Sequence, residues 1–374
     1  MSNVPHKFDL AVVGAGILGL SCALAAARRG LKVIVLERDV RAGGASVRNF
    51  GLVTMTGQEP LVWRLARRSR EVWQEVAAPA GIPIVQTGLW VLARRPESAA
   101  LLEAFMRTDM ADGCRLLKPP QAHAWCPQLP APDLQAAFFS PHELRVEASQ
   151  AIPRLADWLA REHGVSFHWQ TAVHAVDPPR LDTSRGSLQA AAAVVCPGDD
   201  LVTLYPERLA DAGVDRCTLQ MLRLESPGFA LPGTVMSDLS LVRYGGFASL
   251  PEADLLRERL EVEQPQALRH GIHLIIAQGA DDSLVVGDSH HYGAAADLAE
   301  EEVYGLILEE FRAVTGREAP PVRARWTGTY AAASDRTLLI ESPQPRVRLV
   351  VVTSGVGAST GFAIGEEVIG DLYG

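Results

Sequence analysis

The stretch FDLAVVGAGILGLSCALAAARRGLKVIVLERD, residues 8–39, constrains this chain more than any other part of it. Phe8 to Val13 read as a buried strand, and Ile17 to about Arg29 carry the apolar period of a helix. Gly30 stops that helix, and Lys32 to Leu36 form a second strand, completing a βαβ unit. Gly14, Gly16 and Gly19 make the pattern G-x-G-x-x-G between the first strand and the helix. Gly14 serves the turn, Gly16 lets a pyrophosphate approach the backbone where Ile17 and Leu18 open the helix, and Gly19 lets helix and strand lie close. Glu37, followed by Arg38, ends the second strand where a carboxylate can accept hydrogen bonds from ribose hydroxyls. A dinucleotide is the expected ligand.

The pattern does not separate NAD from FAD, but the next residues do. An NAD unit usually runs straight on to another helix and strand, whereas here RAGGASVRNFG supplies a second loop of small residues whose amides can cradle a phosphate. Ala45, Ser46, Asn49 and Gly51 in that loop match the G-A-S-x-x-N-x-G segment of the D-amino-acid oxidase and glycine/sarcosine oxidase superfamily, which this chain resembles. The resemblance implies that this loop, with Arg48 and Phe50, lies at the flavin. Some sarcosine-oxidising relatives carry a histidine here that bonds to the flavin. None occurs in this loop, so FAD is expected to be non-covalent.

The resemblance extends over essentially the whole length. It implies an α/β plus α+β fold, in which a Rossmann-like FAD-binding domain carries a discontinuous antiparallel-sheet substrate domain. Residues 1–83, 141–215 and 326–374 are assigned to the first, and 84–140 and 216–325 to the second. ASQAIPRLADWLAREHGVSFHWQTAVHAVD reads as a helix, a Gly164 stop and a strand ending at 171–173, and the family implies that Val173 meets the adenine through its backbone. Cys196, Pro197 and Gly198 resemble the turn that covers the dinucleotide, with Cys196 as a packed small residue. The segments IPIVQTGLWVLA, CTLQMLRLES, GIHLIIAQG and SLVVGDSHHYG read as short strands, and DLAEEEVYGLILEEFRAVTG as a helix. Near the end, Gly355, Gly357, Ala358, Ser359 and Thr360 lie in a turn between a strand and a helix expected from about Gly361. In the family that helix points its N-terminus at the flavin, and Ser359 and Thr360 are expected to donate to flavin oxygens. Gly357 to Gly361 also fit the G-x-S-x-G of a hydrolase elbow. That reading fails because no histidine follows His291 and too little chain remains for the missing sheet.

Composition excludes several classes. A net charge of -9 with no basic stretch argues against a nucleic-acid partner, and lysines only at 7, 32 and 118 argue against pyridoxal phosphate. Five cysteines without a C-x-x-C pair read as free thiols, and no segment reads as a signal or a membrane span, so the expected location is cytoplasmic. His163, His168 and His174 lack the partners of a metal site, and no metal is expected. His290 and His291 are adjacent on a strand, so at most one faces the substrate.

The resemblance implies a reaction in which flavin takes a hydride from a carbon beside an amine nitrogen, and the protein holds the substrate; no side chain is assigned as catalytic. RARWTGTYAAASDRTLLI is similar to the family segment whose arginine binds a substrate carboxylate, but Tyr330 stands at the arginine position and Ala331 at a proline. Arg48, Arg243, Tyr244, His290 and Tyr330 are the substrate-binding candidates, with Arg323, Arg325 and Arg336 as further cations. The loop GASVRNFGLV and the histidine-bearing strand at His290 resemble a branch associated with phosphonate utilisation. It implies a small anionic amine such as N-methyl-2-aminoethylphosphonate, with oxygen or another carrier as electron acceptor. A glycine- or sarcosine-like amino acid is the alternative substrate, and a flavoprotein using FAD only structurally is the alternative of another class.

Overall fold

The computed structural model describes residues 7–129, 131–293 and 299–374. Its first sheet runs in the order Leu338–Gln344, Val347–Val352, Gly186–Val195, Phe8–Val13, Val33–Leu36 and Ser166–His168. All neighbours are parallel except the first pair, and the central strands are mostly apolar, with Leu10–Val12, Val33–Leu36 and Ala192–Val195 forming their buried middle. Helix Ile17–Arg28 packs on helix Gly357–Tyr373 at two glycines. A Cβ on Gly365 would lie 2.6 Å from the Ser21 carbonyl carbon, so only glycine permits this approach.

The second sheet joins strands from distant parts of the chain. Asp215–Leu224 pairs with Val322–Ala332, Leu284–Gly287 and His291–Tyr292, and the sheet continues through Ile275–Gln278, Thr234–Ser237, Ile84–Ala93 and Ala136–Val146 to Leu52–Val53. It is mixed rather than purely antiparallel, since Thr234–Ser237 runs parallel to Ile84–Ala93.

Several boundaries differ from expectation. Strand Val322–Ala332 crosses the assigned limit at 326 and belongs wholly to the second sheet, its register running from Leu224↔Val322 to Asp215↔Ala332. Ala136–Val146 likewise carries the second sheet past 141. The strand expected to end at 171–173 is split into Ser166–His168 and Val173–Asp177, because Gln170 turns the chain with φ +53°. The last helix starts at Gly357, four residues early. The helix expected from Asp297 runs Glu301–Thr315, and Asp297 and Leu298 lie outside the described residues.

Candidate functional site

The glycine turn is shaped by close backbone contacts. Gly14 has φ +99°, and a Cβ there would sit 2.4 Å from the Cys196 carbonyl oxygen; one on Gly19 would sit 1.9 Å from the Gly14 oxygen. Cys196 donates its amide to Val13 O at 2.9 Å, so the Cys196-Pro197-Gly198 turn is fixed beside the first strand. A hydrogen bond to Cys22 and burial push the Cys196 thiol pKa well up, leaving it a packed neutral group. The Glu37 carboxylate accepts the Ala15 amide at 2.8 Å and the Asp39 amide at 3.1 Å, which holds it against the turn. Thr171 donates its amide to Glu37 O, placing Val173 two residues further along the same edge. Arg38 pairs with Asp200 at 2.6 Å and so ties Glu37's neighbour to the covering turn.

At the start of helix Ile17–Arg28, Ser46 Oγ accepts the Ile17 amide at 3.0 Å, and a Cβ on Gly16 would meet that same oxygen at 3.0 Å. The Gly16 and Leu18 amides take no partner among the described residues. Free amides at a helix N-terminus, beside a glycine cradle and a second loop, are the donor set a pyrophosphate requires. Asn49 folds that second loop: its Nδ2 donates to Ala45 O and its Oδ1 accepts the Gly51 amide, both at 2.7 Å. Gly51 has φ +71°, and a Cβ there would strike Val146 O at 1.8 Å. The residues present therefore fit FAD.

Two expectations about this region change. Arg48 is exposed and turns its Nε back onto Gly43 O at 2.8 Å, so its side chain sits on the loop's rim and does not join the other substrate candidates. Thr360 spends its hydroxyl on Val356 O, four residues back, and the buried Ser359 Oγ accepts the Thr54 amide. The Thr360 proton is thereby spent within the helix, whereas Ser359 only accepts and keeps its proton for a further partner. What the helix start offers is the Gly357 and Ala358 amides, which have no partner among the described residues.

The substrate candidates gather where the second sheet meets this loop. Cys217 lies directly opposite Tyr330 on one neighbouring strand and Tyr292 on the other, so the three side chains share a face. Gly328 and Gly287 share it too, opposite Leu219 and Met221. A Cβ on Gly328 would lie 3.1 Å from Arg48 O, and one on Gly287 would lie 3.4 Å from the Phe50 ring. Missing side chains thus make room for the second loop. Tyr330 is buried, and a Cβ on Gly355 would touch its ring at 3.2 Å, so Tyr330 adjoins the turn before the last helix.

Arg243 Nη2 donates to the Tyr292 hydroxyl at 3.3 Å, at a mouth where Tyr292 is 58% exposed. Burial opposes the charge of Arg243, but Tyr330, Tyr292 and Asp288 outweigh it, and its pKa stands above the ordinary value. Behind it lie His273, Asp288 and His290, all buried. The ring of Tyr244 stands edge-on to that of His273, with centroids 5.5 Å apart. Burial, followed by Asp288, raises the phenol pKa of Tyr244. Burial lifts Asp288 to about 7, with Arg243 pulling the other way. Burial and Arg243 together push His273 and His290 well below the ordinary imidazole range. His291 turns away to His270, 3.0 Å off, leaving His290 as the histidine of this pair that faces Tyr330. Arg323, Arg325 and Arg336 pair instead with Asp281, Glu301 and Asp335.

Sequence reasoning missed His273, Asp288 and Ser240. The signal for the first two was a histidine and an aspartate at the ends of otherwise apolar strands, where burial makes a polar side chain costly.

A parallel dinucleotide-binding sheet with an FAD-fitting cradle, joined to a second sheet that closes over it, defines a two-domain flavoprotein. The chain belongs to the DAO family of FAD dependent oxidoreductases, which matches residues 9–370. FAD is its cofactor, held without a covalent link. Glycine oxidase of Geobacillus kaustophilus is 29% identical over 210 residues, covering 52% of this chain and 55% of that protein, so the match spans about half the relative's length. Among solved structures, glycine oxidase from Bacillus cereus superposes with a TM-score of 0.78 at 19% identity, covering 97% of this chain and 94% of that one. L-proline dehydrogenase from P. horikoshii gives 0.79 at 18%, covering 98% and 93%. These likenesses carry the fold. No helix among the described residues is long and apolar enough to cross a membrane.

Proposed function

We propose that this protein oxidises a small amine that carries an anionic group, yielding an imine that water hydrolyses to a carbonyl compound and a shorter amine or ammonia. Bound FAD supplies the two-electron acceptor for this chemistry. The chain's own residues bind and orient: the Arg243 guanidinium takes the anionic end by charge-assisted hydrogen bonds, and buried Tyr330 with half-buried Tyr244 walls the amine against the second loop. The observation that carries the reading is Arg243 bonded to Tyr292, which shares with Tyr330 the sheet face that meets the loop at Arg48 and Phe50.

For the substrate, the names of the relatives favour a glycine- or sarcosine-like amino acid. One observation favours a second reading, an aminoalkylphosphonate such as N-methyl-2-aminoethylphosphonate. Tyr330 stands where the resemblance expects the carboxylate-binding arginine, and its hydroxyl is a poor bidentate partner for a carboxylate. Molecular oxygen or another carrier reoxidises the enzyme, and we place the protein in the cytoplasm. Anaerobic reduction rates with sarcosine, glycine and N-methyl-2-aminoethylphosphonate at equal concentration separate the substrate readings: the faster reductant identifies the class.

A further inference from the structure

Behind Arg243, three buried side chains bring one possible metal-ligand atom each into a single cluster. His273 stands just before strand Ile275–Gln278, and Asp288 and His290 follow its neighbour Leu284–Gly287. His273 and Asp288 exchange backbone hydrogen bonds of 3.3 and 3.2 Å, and His290 donates its amide to His270 O at 2.9 Å, so all three positions are rigid. Their exposures are 3%, 4% and 7%. His273 Nε2 lies 3.2 Å from Asp288 Oδ1, His290 Nε2 lies 3.8 Å from Oδ2, and one ligand atom from each falls within 4.8 Å of the others.

The contacts within the trio are not hydrogen bonds. Asp288 Oδ1 has no partner despite the nearby His273 Nε2, so the two atoms aim past each other. His290 Nδ1 is 3.0 Å from Gly271 O, which only accepts; Nδ1 therefore carries the proton, and Nε2 turns its lone pair toward the carboxylate. Ser240 Oγ sits 3.3 Å from His273 Nδ1 and can accept its proton, which leaves His273 Nε2 as a second lone pair. A cation bound among them would accept both imidazole lone pairs and the carboxylate at once. A carbonyl and a hydroxyl on the far ring nitrogens are also the contacts that orient metal-bound imidazoles. A tetrahedral site with legs of about 2.0–2.1 Å has edges of roughly 3.3 Å; the His273–Asp288 separation of 3.2 Å meets that, and the 3.8 Å between His290 and Asp288 must close by about half an ångström when the ion binds.

We propose that His273, Asp288 and His290 bind one borderline divalent cation, with zinc the first choice. Two imidazoles and a carboxylate suit zinc by ligand type. Three protein ligands leave the fourth position to water, and an ion there ties together the ends of two adjacent strands. Arg243 opposes it by charge, so the site is weaker than its ligands alone would make it.

The test uses tag-free, FAD-loaded protein grown with added zinc and dialysed against metal-free buffer. Elemental analysis should find about one zinc per chain, with a zinc-edge X-ray absorption spectrum showing imidazole and oxygen ligands. Ser240→Ala touches only the outer contact and should weaken zinc at least about tenfold in competition with a chelator. His290→Gln should lose zinc while keeping FAD, and Arg243→Met should hold zinc more tightly. Wild-type protein without zinc or another divalent ion after incubation with excess metal overturns the proposal, as does zinc lacking imidazole ligands. Zinc retained by a folded His290→Gln does the same. The wild-type stoichiometry and spectrum decide the matter even if a variant fails to fold.

Discussion

Trp326, on the second sheet, donates its indole N–H to the backbone oxygen of Arg48 in the cofactor loop at 3.0 Å. The substrate-side sheet thereby grips the loop that holds FAD, and cofactor affinity should respond to a residue that lies outside that loop.

Trp326→Phe keeps most of the ring's bulk and removes this one bond. A hydrogen bond of this kind contributes about 0.5–1.5 kcal/mol. Titration of the apoprotein with FAD should show a dissociation constant raised roughly two- to tenfold, without a change in FAD stoichiometry.

Gly14→Ala should be the most damaging substitution in the glycine triplet for which strain and contact combine. It forces a side chain into φ +99° and against the Cys196 carbonyl at 2.4 Å, a backbone atom that has no rotamer to escape into. Strain of this kind costs on the order of 1–3 kcal/mol, so purified variant should carry little FAD and show a lowered Tm. Gly16→Ala meets the Ser46 hydroxyl, which can rotate, and should retain more FAD than Gly14→Ala. From wild-type protein, acid precipitation should leave FAD in the supernatant, since the loop has no histidine to tether it.

Arg243→Met should lower kcat/KM for an anionic amine by roughly 2–5 kcal/mol, as expected for loss of one partner of a desolvated charge pair. An uncharged amine of similar size should be affected far less. Arg48→Ala should leave the ratio of the two substrates nearly unchanged, because its guanidinium is turned onto Gly43 O.

Stability should fall in alkali through Cys217. Burial pushes its thiol up to about 11 from an ordinary value of 9.0. Between those values the unfolded chain loses the proton and the folded chain keeps it, so stability is fully present below pH 9 and declines as pH rises toward 11. Cys217→Ala should flatten that decline in denaturant titrations across this range, and native Cys217 should resist alkylation at pH 8.

The parts of the site that were legible in the sequence are those made by local chain geometry. Gly14, Gly16, Gly19 and Glu37 are read from one continuous βαβ unit, and Asn49 and Gly51 from a loop whose bonds close within a few residues. The recess is different: Cys217, Tyr292 and Tyr330 become neighbours only through strand pairing across distant segments, and no spacing rule reports that register. Thr360 differs from expectation for a related reason, since its hydroxyl proton is taken by the Val356 carbonyl one turn back. His273 and Asp288 were invisible because each is a single polar residue beside an apolar strand, and only the pairing of those strands brings them together.

The most direct test of the central claim is anaerobic mixing of the FAD-loaded protein with sarcosine, glycine and N-methyl-2-aminoethylphosphonate while the oxidised flavin absorbance is followed. At least one of these amines should bleach the flavin to its two-electron reduced form in a saturable, single-turnover process that Arg243→Met slows. If dithionite reduces the flavin fully but none of the amines does, at any accessible concentration or pH, the account of this protein as an oxidase of small anionic amines is contradicted.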